Sequence, residues 1–515
     1  MERTSLRNSH LVQLTSELHE YYTQNVLDPL GLYIYGIILK ESQKSSSSSS
    51  TTTHHTTTPS PRPIVFSHNP TTNVPTSHSI LIQSLLLFPY NWSAWLDLAE
   101  LCIADPTLHP QVESAIAPLT NHWMYYFFCT HVFLETQSNE NAIGVMERLI
   151  HGTQEDNDND NDEDKGGFLV QSPYLQSQLA LAHYNMRDFD TAQHHFTLLT
   201  ARDPRRLDQM DVYSNILYVK EEKVTLSQLA HTAMKIDKYR PETCCIVGNY
   251  YSLKGQHEKA VEYFQRALKL DRNYLSAWTL MGHEYLEMKN TPAAIEAYRR
   301  AVDINPRDFR AWYGLGQTYE IMSMLLYALF YYRKAVELRP YDARMWCAMG
   351  QCYLGLKRRS DAIRSYERAV SNHDTEGTAT RKLATLYSED GNVEQAARCY
   401  LRHLELMYQA QVSRAPAEID GRIPVQVIIS SVNVDEAEAE ALLFLAHYHR
   451  DHDQFEVASM CCSRLLDYPG QEKEDAKALL REIRSRIDKQ GESRGKRRNL
   501  RGRTGDADGS FEFSP

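Results

Sequence analysis

AWTLMGHEYLEM runs from Ala277 to Met288, and AWYGLGQTYEIM from Ala311 to Met322. Tryptophan, glycine and tyrosine return at the same offsets, 34 residues apart. Such a return marks either a site used twice or the packing code of a structure built from copies, and the flanking sequence decides. Gly248, Gly282, Gly316 and Gly350 form one column at this period, with Ala384 next. Tyr251, Tyr285, Tyr319, Tyr353 and Tyr387 form a second, and Ala260, Ala294, Ala328, Ala362 and Ala396 a third. Phe264, Tyr298, Tyr332, Tyr366 and Tyr400 follow, then Ala267, Ala301, Ala335 and Ala369, where the column breaks at His403. Independent columns sharing one period are the signature of a repeat array.

Each period holds two apolar segments with helical spacing. Trp278, Met281 and Tyr285 lie on one face of the first, and Ala294, Tyr298 and Ala301 on one face of the second. Small residues such as Gly282 and Ala294 let crossing helices approach, and the aromatics fill the space around them. The expected fold is all-α: antiparallel helix pairs stacked into a superhelical solenoid. Gly255 and Lys289-Asn290 mark turns within units, while Pro306 and Pro340 follow second helices, where proline ends a helix without breaking its centre.

The register predicts units beginning near Pro173, Leu207, Pro241, Leu275, Phe309, Ala343 and Gly377, together the array 173–410. Another resumes near Ala439, 28 residues later than an unbroken period requires, so an insertion occupies 411–438 and a last repeat with a capping helix 439–490. Residues 1–150 carry earlier helical repeats, one pairing Pro29 to Lys40 with Ser77 to Phe88 around a Ser/Thr/His-rich low-complexity insertion at 41–76. Residues 151–172 form an acidic disordered loop, and 491–515 a disordered basic-to-polar tail.

Composition narrows the function classes. With 515 residues the chain is too long for one ordinary core, a limit that stacked repeats escape. A formal net charge of -11 argues against broad nucleic-acid attraction. No apolar run reaches the roughly 18–20 residues of a membrane span, and MERTSLRNSH lacks a secretory hydrophobic region. The sequon at Asn91 therefore carries little meaning. Nine cysteines show no recurrent CxxC spacing, and the adjacent pairs Cys244-Cys245 and Cys461-Cys462 read as packing in a reducing compartment.

Catalytic signatures are missing: there is no GxxxxGK[ST] loop, no HExxH and no GxSxG turn. His447, His449 and His452 crowd together but have no counterparts in other units, so an exposed helix end explains them better than a metal site. No cofactor or metal is expected. The residues following the small column point out of the hydrophobic seam: Asn249, His283, Gln317, Gln351 and Thr385. A polar ladder of this kind can hydrogen-bond an extended peptide, with Glu242, Glu287, Arg310, Glu320 and Arg344 adding charge selection. The plainer alternative is that they keep a wet groove soluble. Trp278, Trp312 and Trp346, with Gly282, Gly316, Gly350, Tyr285, Tyr319, Tyr353, Ala294 and Ala328, read as structural positions.

These columns resemble the tetratricopeptide repeat. Over YRPETCCIVGNYYSLKGQHEKAVEYFQRALKLDRNYLSAWTLMGHEYLEMKN, Tyr239 to Asn290, and RDFRAWYGLGQTYEI, Arg307 to Ile321, the chain is similar to the subunit 8 (cell division cycle protein 23) family of the anaphase-promoting complex. YIYGIILKE and NWSAWLDLAEL look like that family's early repeats, although members usually carry more helical sequence before the first of them. The resemblance implies a noncatalytic scaffold of a cell-cycle ubiquitin ligase in nucleus and cytoplasm, with no required nucleic acid and no membrane. It implies a homodimer through the early repeats, around Leu30 to Trp123, and contacts with other scaffold subunits. It also implies a groove receiving the N-terminal segment of a WD40-type coactivator, which favours Asn249 and His283. The competing readings are a peptide-binding co-chaperone and an RNA-processing scaffold. The first lacks a compact basic clamp, and the second rests on the basic tail, Arg494 to Arg503, alone.

Overall fold

The tryptophan–glycine–tyrosine segments are helices, each turning tightly into a second helix that packs along it. The computed structural model describes residues 10–48, 75–120, 122–151, 172–372, 374–412, 425–431 and 433–502. The chain divides into two compact units, Met1–Gly255 and Gln256–Pro515. In the first, α1 (Leu11–Thr23) packs on α2 (Pro29–Ser48), and α2 on α3 (Ser77–Leu87). There follow α4 (Trp92–Ala104), α5 (His109–Ala115), α6 (Trp123–Glu135) and α7 (Asn139–His151). The pairs α8 (Pro173–Met186) with α9 (Phe189–Arg202) and α10 (Met210–Val219) with α11 (Lys223–Ile236) precede α12 (Pro241–Leu253).

The second unit begins with α13 (His257–Leu270) and continues with the pairs α14 (Leu275–Glu287) and α15 (Thr291–Ile304), then α16 (Phe309–Ile321) and α17 (Leu325–Leu338). Next come α18 (Ala343–Gly355) with α19 (Arg359–Ser371), and α20 (Thr378–Glu389) with α21 (Val393–Val412). The short α22 (Val425–Ser431) leads to α23 (Glu436–Asp451) with α24 (Phe455–Leu465), and α25 (Gln471–Gly502). The described residues are helical or irregular, with no strand among them.

A left-handed residue ends the first helices from α8 onward. Arg187, Glu221, Gly255, Lys289, Ser323, Lys357 and Gly391 all have positive φ, between 57° and 78°, and stand 34 apart. Asp453 repeats the conformation 62 residues after Gly391, one period plus 28. Only two of these positions carry glycine, which adopts the region freely; the others bear a steric cost. Polar caps restart the second helix, as where Asn290 accepts from the Ala293 amide.

Entry into four of the first helices is fixed by tryptophan. The indole Nε1–H of Trp278 donates to the Arg272 carbonyl at 3.1 Å, that of Trp312 to Pro306 at 2.7 Å and that of Trp346 to Pro340 at 2.8 Å. Trp95 makes the same six-residue reach to Pro89 at 2.8 Å, which marks α4 as a first helix. The interior is a chain of clusters, from Leu81, Trp95 and Phe128 in the first unit to Tyr298, Leu315 and Tyr332 in the second. Cys244, Cys245, Cys461 and Cys462 are buried free thiols, and burial pushes Cys461 up to about 12, far from a reactive thiolate.

Helices α1, α5 and α22 carry no 34-residue signal and were not expected. Buried Ile428 and Ile429 place α22 in the core within the expected insertion. The backbone of α25 stays helical to Gly502 across the start of the expected tail, through a run of arginine, lysine and glutamate, which are good helix formers. Most of the low-complexity segment, the acidic loop, the middle of the insertion and residues 503–515 lie outside the described residues.

Candidate functional site

The second unit builds a polar row from its own packing. A Cβ at Gly282 would lie 2.6 Å from the Tyr298 ring, one at Gly316 2.5 Å from Tyr332, and one at Gly350 2.8 Å from Tyr366. Glycine is thus required where Tyr298, Tyr332 and Tyr366 cross their first helices, whereas Ala384 takes the equivalent place before Tyr400. The rings are buried, and their hydroxyls reach the row of residues that follow the small column. Tyr298 Oη shares a 2.9 Å hydrogen bond with His283 Nδ1, and Tyr366 donates to Gln351 Oε1 at 3.3 Å. Tyr400 lies 3.4 Å from Thr385 Oγ1 and donates to Glu440 at 3.1 Å. In the repeat of Gln317, Tyr332 donates instead to Glu320 Oε2 at 2.6 Å. The row therefore holds the ends of buried tyrosines while presenting the rest of its polar surface.

His283, Gln317 and Gln351 are exposed, and Thr385 is half-buried. Arg310 and Arg344 are each held by the aspartate capping their own helix: Arg310 Nε donates to Asp308 at 3.1 Å, and Arg344 makes two bonds to Asp342 at 3.2 and 2.8 Å. Their charge is thus partly matched from within. Burial works against the Asp342 carboxylate, yet the Arg344 bonds hold it below its ordinary range. Glu287 is exposed at the end of α14.

Asn249 departs from the expected ladder. It is 3% exposed, and its amide donates to Ser214 Oγ and Asn215 Oδ1, both at 2.8 Å, so it ties α12 to α10 in the first unit. Fifteen residues on, where later repeats carry tyrosine, the sequence has Phe264, with no hydroxyl to satisfy. Glu242 is half-buried, 3.6 Å from Arg240.

The His283 imidazole is pushed down to about 4, first by desolvation and then by the Arg310 charge, with Asp308 opposing. The ring is therefore neutral at pH 7. A row of neutral imidazole and carboxamides offers both donors and acceptors without net charge. The structural positions Trp278, Trp312 and Trp346 serve their turns. Tyr285 accepts from Gln265 at 3.4 Å and Tyr319 from Arg299 at 3.0 Å, and Arg358 lies over the Tyr353 ring at 5.2 Å. Ala294 and Ala328 are fully buried.

The histidines of α23 do not converge: His449 bonds Gln454 at 2.7 Å and His452 the Tyr448 carbonyl at 2.9 Å. Among the described residues no group of three His, Cys, Asp or Glu side chains is placed to hold a metal, and no helix is long and apolar enough to cross a membrane. Sequence reasoning missed the tyrosine hydroxyls as partners of the row, although the fifteen-residue offset was visible. It also missed His257 with buried Glu284, 2.8 Å apart.

Tetratricopeptide-repeat family models match residues 241–274, 282–322, 309–342, 343–372 and 379–412, and the model for anaphase promoting complex subunit 8 / Cdc23 matches residues 68–151. Anaphase-promoting complex subunit 8 of Arabidopsis thaliana is 43% identical over 93% of this chain and 70% of its own length. The Dictyostelium discoideum protein of that name is 47% identical over 80% of this chain and 62% of its own. The human cell division cycle protein 23 homolog is 38% identical over 46% of this chain and 31% of its own. The chain thus spans only part of each relative. A crystal structure of the APC/C hetero-tetramer Cut9-Hcn1 is 16% identical, with a TM-score of 0.47 over 79% of this chain and 72% of that one.

Proposed function

The chain belongs to the anaphase-promoting complex subunit 8 / Cdc23 family, and we propose that it works as a noncatalytic scaffold within that cell-cycle ubiquitin ligase. The observation that carries this is the 43% identity maintained over 93% of the chain, first repeats and array together. On this reading the chain organises other subunits in nucleus and cytoplasm, and His283, Gln317 and Gln351 receive an extended N-terminal segment of the ligase's WD40-type coactivator. Exposed carboxamides and a neutral imidazole suit the backbone and polar side chains of such a segment. Arg310 and Arg344, each paired with the aspartate that caps its own helix, stand in neighbouring repeats beside the row.

The first unit supports the dimer part of the reading. Leu30 and Ile34 on α2 are 53% and 51% exposed, and Leu87 on α3 is 64% exposed. Exposed apolar side chains on neighbouring helices suit an association surface, and on this reading a second copy of the chain covers it.

Purification of the endogenous complex followed by mass spectrometry tests the scaffold reading. Cullin-like, RING and other repeat subunits should co-purify, and a preparation without them would sink it. For the row, His283→Ala with Gln317→Ala should weaken binding of a coactivator N-terminal peptide at least about tenfold, or 1.4 kcal/mol, with helicity unchanged. Unchanged binding by the double variant would rule the row out as the receiving surface.

A further inference from the structure

The side of α14 turned away from His283 faces a different space. Trp278 and Tyr285, with residues of α13 and α15, line an open cavity of about 430 Å³, within the size range that accepts small ligands and side chains. One repeat further on, two tyrosine rings occupy the equivalent positions. Tyr319, the counterpart of Tyr285, stacks with Tyr327 at 5.6 Å and with Tyr331 at 5.2 Å, the latter ring only 6° from parallel. The residues 34 positions before those two tyrosines are Ala293 and Ala297. The hydroxyl tether is kept in both repeats, from Arg299 to Tyr319 at 3.0 Å and from Gln265 to Tyr285 at 3.4 Å. Tyr285 is therefore positioned as Tyr319 is, with alanines where Tyr319 has its two stacking rings. The chain itself demonstrates what this geometry accommodates: a flat aromatic ring.

The rim also differs between the repeats. Lys269 and Arg272 are exposed beside the cavity, with Glu296 the carboxylate among the lining residues. Their counterparts are Asp303, Pro306 and Phe330, so the paired cations belong to this cavity alone of the two. Two cations against one carboxylate favour a ring with acidic neighbours. Beyond it, α17 exposes Leu326 at 70% and Phe330 at 55%, where sister helix α19 carries Ser360 and Arg364. Apolar surface that continues into the next repeat suits a chain segment better than a compact small molecule.

We propose that the cavity between α13, α14 and α15 receives one phenylalanine, tyrosine or tryptophan side chain from an acidic segment of a partner protein. This goes beyond the coactivator reading and uses the other side of α14. The test is fluorescence anisotropy with the full chain and three labelled octapeptides. One has phenylalanine flanked by aspartate and glutamate, one replaces the phenylalanine with alanine, and one replaces the acids with lysine. The acidic aromatic peptide should bind at least about tenfold tighter than either other. Ala293→Tyr, which rebuilds one of the next repeat's stacking rings on a half-exposed position, should remove that advantage. Lys269→Glu with Arg272→Glu should invert the preference toward the lysine peptide. Equal affinity for the three peptides would overturn the proposal, as would wild-type binding by a helical Ala293→Tyr chain. Should Ala293→Tyr lose helicity, the exposed charge reversal decides, and an unchanged peptide preference there refutes the site.

Discussion

At Gly316 a single hydrogen separates a packed repeat from a clash. A methyl group there would stand 2.5 Å from two carbons of the buried Tyr332 ring, so Gly316→Ala should cost about 1–3 kcal/mol, read as a lower urea midpoint. Gly144, in α7, has open space instead, with nothing within 4 Å of where such a methyl would sit, and Gly144→Ala should stabilise by about 0.5–1 kcal/mol through helix propensity. His283 supplies a pH signature. Its folded pKa of about 4 lies below the ordinary 6.5, so the unfolded chain binds the proton first as pH falls. The stability that His283 contributes is present above pH 6.5 and is lost toward pH 4. Thermal melts of wild type and His283→Gln should therefore differ by a constant amount above pH 7, with wild type losing ground between pH 6.5 and 4. The polar row was legible in the sequence, because His283, Gln317 and Gln351 each follow a column glycine. Its restraint was not, since the tyrosine hydroxyls lie fifteen residues away and spacing alone does not show where a ring ends. Asn249 fits the column but is buried, because Ser214 and Asn215 of the preceding first helix stand where they can accept from it.

At the scale of helices, the turns are the economical place to intervene. Lys357 ends α18 at a φ of 59°, where Gly391 ends α20 at 78°. Lys357→Gly should raise stability by about 0.5–1 kcal/mol, and Gly391→Ala should lower it by about 1 kcal/mol, both read from urea unfolding. The helix pairs were legible because tryptophan, glycine, tyrosine and alanine keep one period, and first helices begin at Pro173, Pro241, Leu275, Phe309 and Ala343 as the register predicts. Helices α10, α20 and α23 begin at Met210, Thr378 and Glu436, shifted by one to three residues from expectation. Two of these starts follow left-handed residues, Gln209 and Gly377, the first of which propensity does not anticipate. Helices outside the period, such as α1 and α22, are set by contacts to particular neighbours and leave no repeating trace. The outer face of α17 was also missed, since its apolar run reads as core until sister helices are compared position by position.

Across the whole molecule, stability comes from neighbour upon neighbour, and such arrays need not unfold in one step. All six tryptophans lie at or before Trp346, whereas helices continue to Gly502. Urea unfolding followed by tryptophan fluorescence and by circular dichroism should consequently give different midpoints, and coincident curves would reveal stronger coupling than nearest-neighbour packing supplies. The indole bonds of Trp278, Trp312 and Trp346 carry a consequence of another kind. Each locks the entry of a first helix to the turn before it, and so sets one increment of rotation between adjacent repeats. Increments accumulate: a small angular error at Trp312 displaces each later repeat of its unit along a lengthening lever arm. A substitution there that barely moves the melting temperature would still misalign distant contact points, much as a miscut tread throws off every step above it.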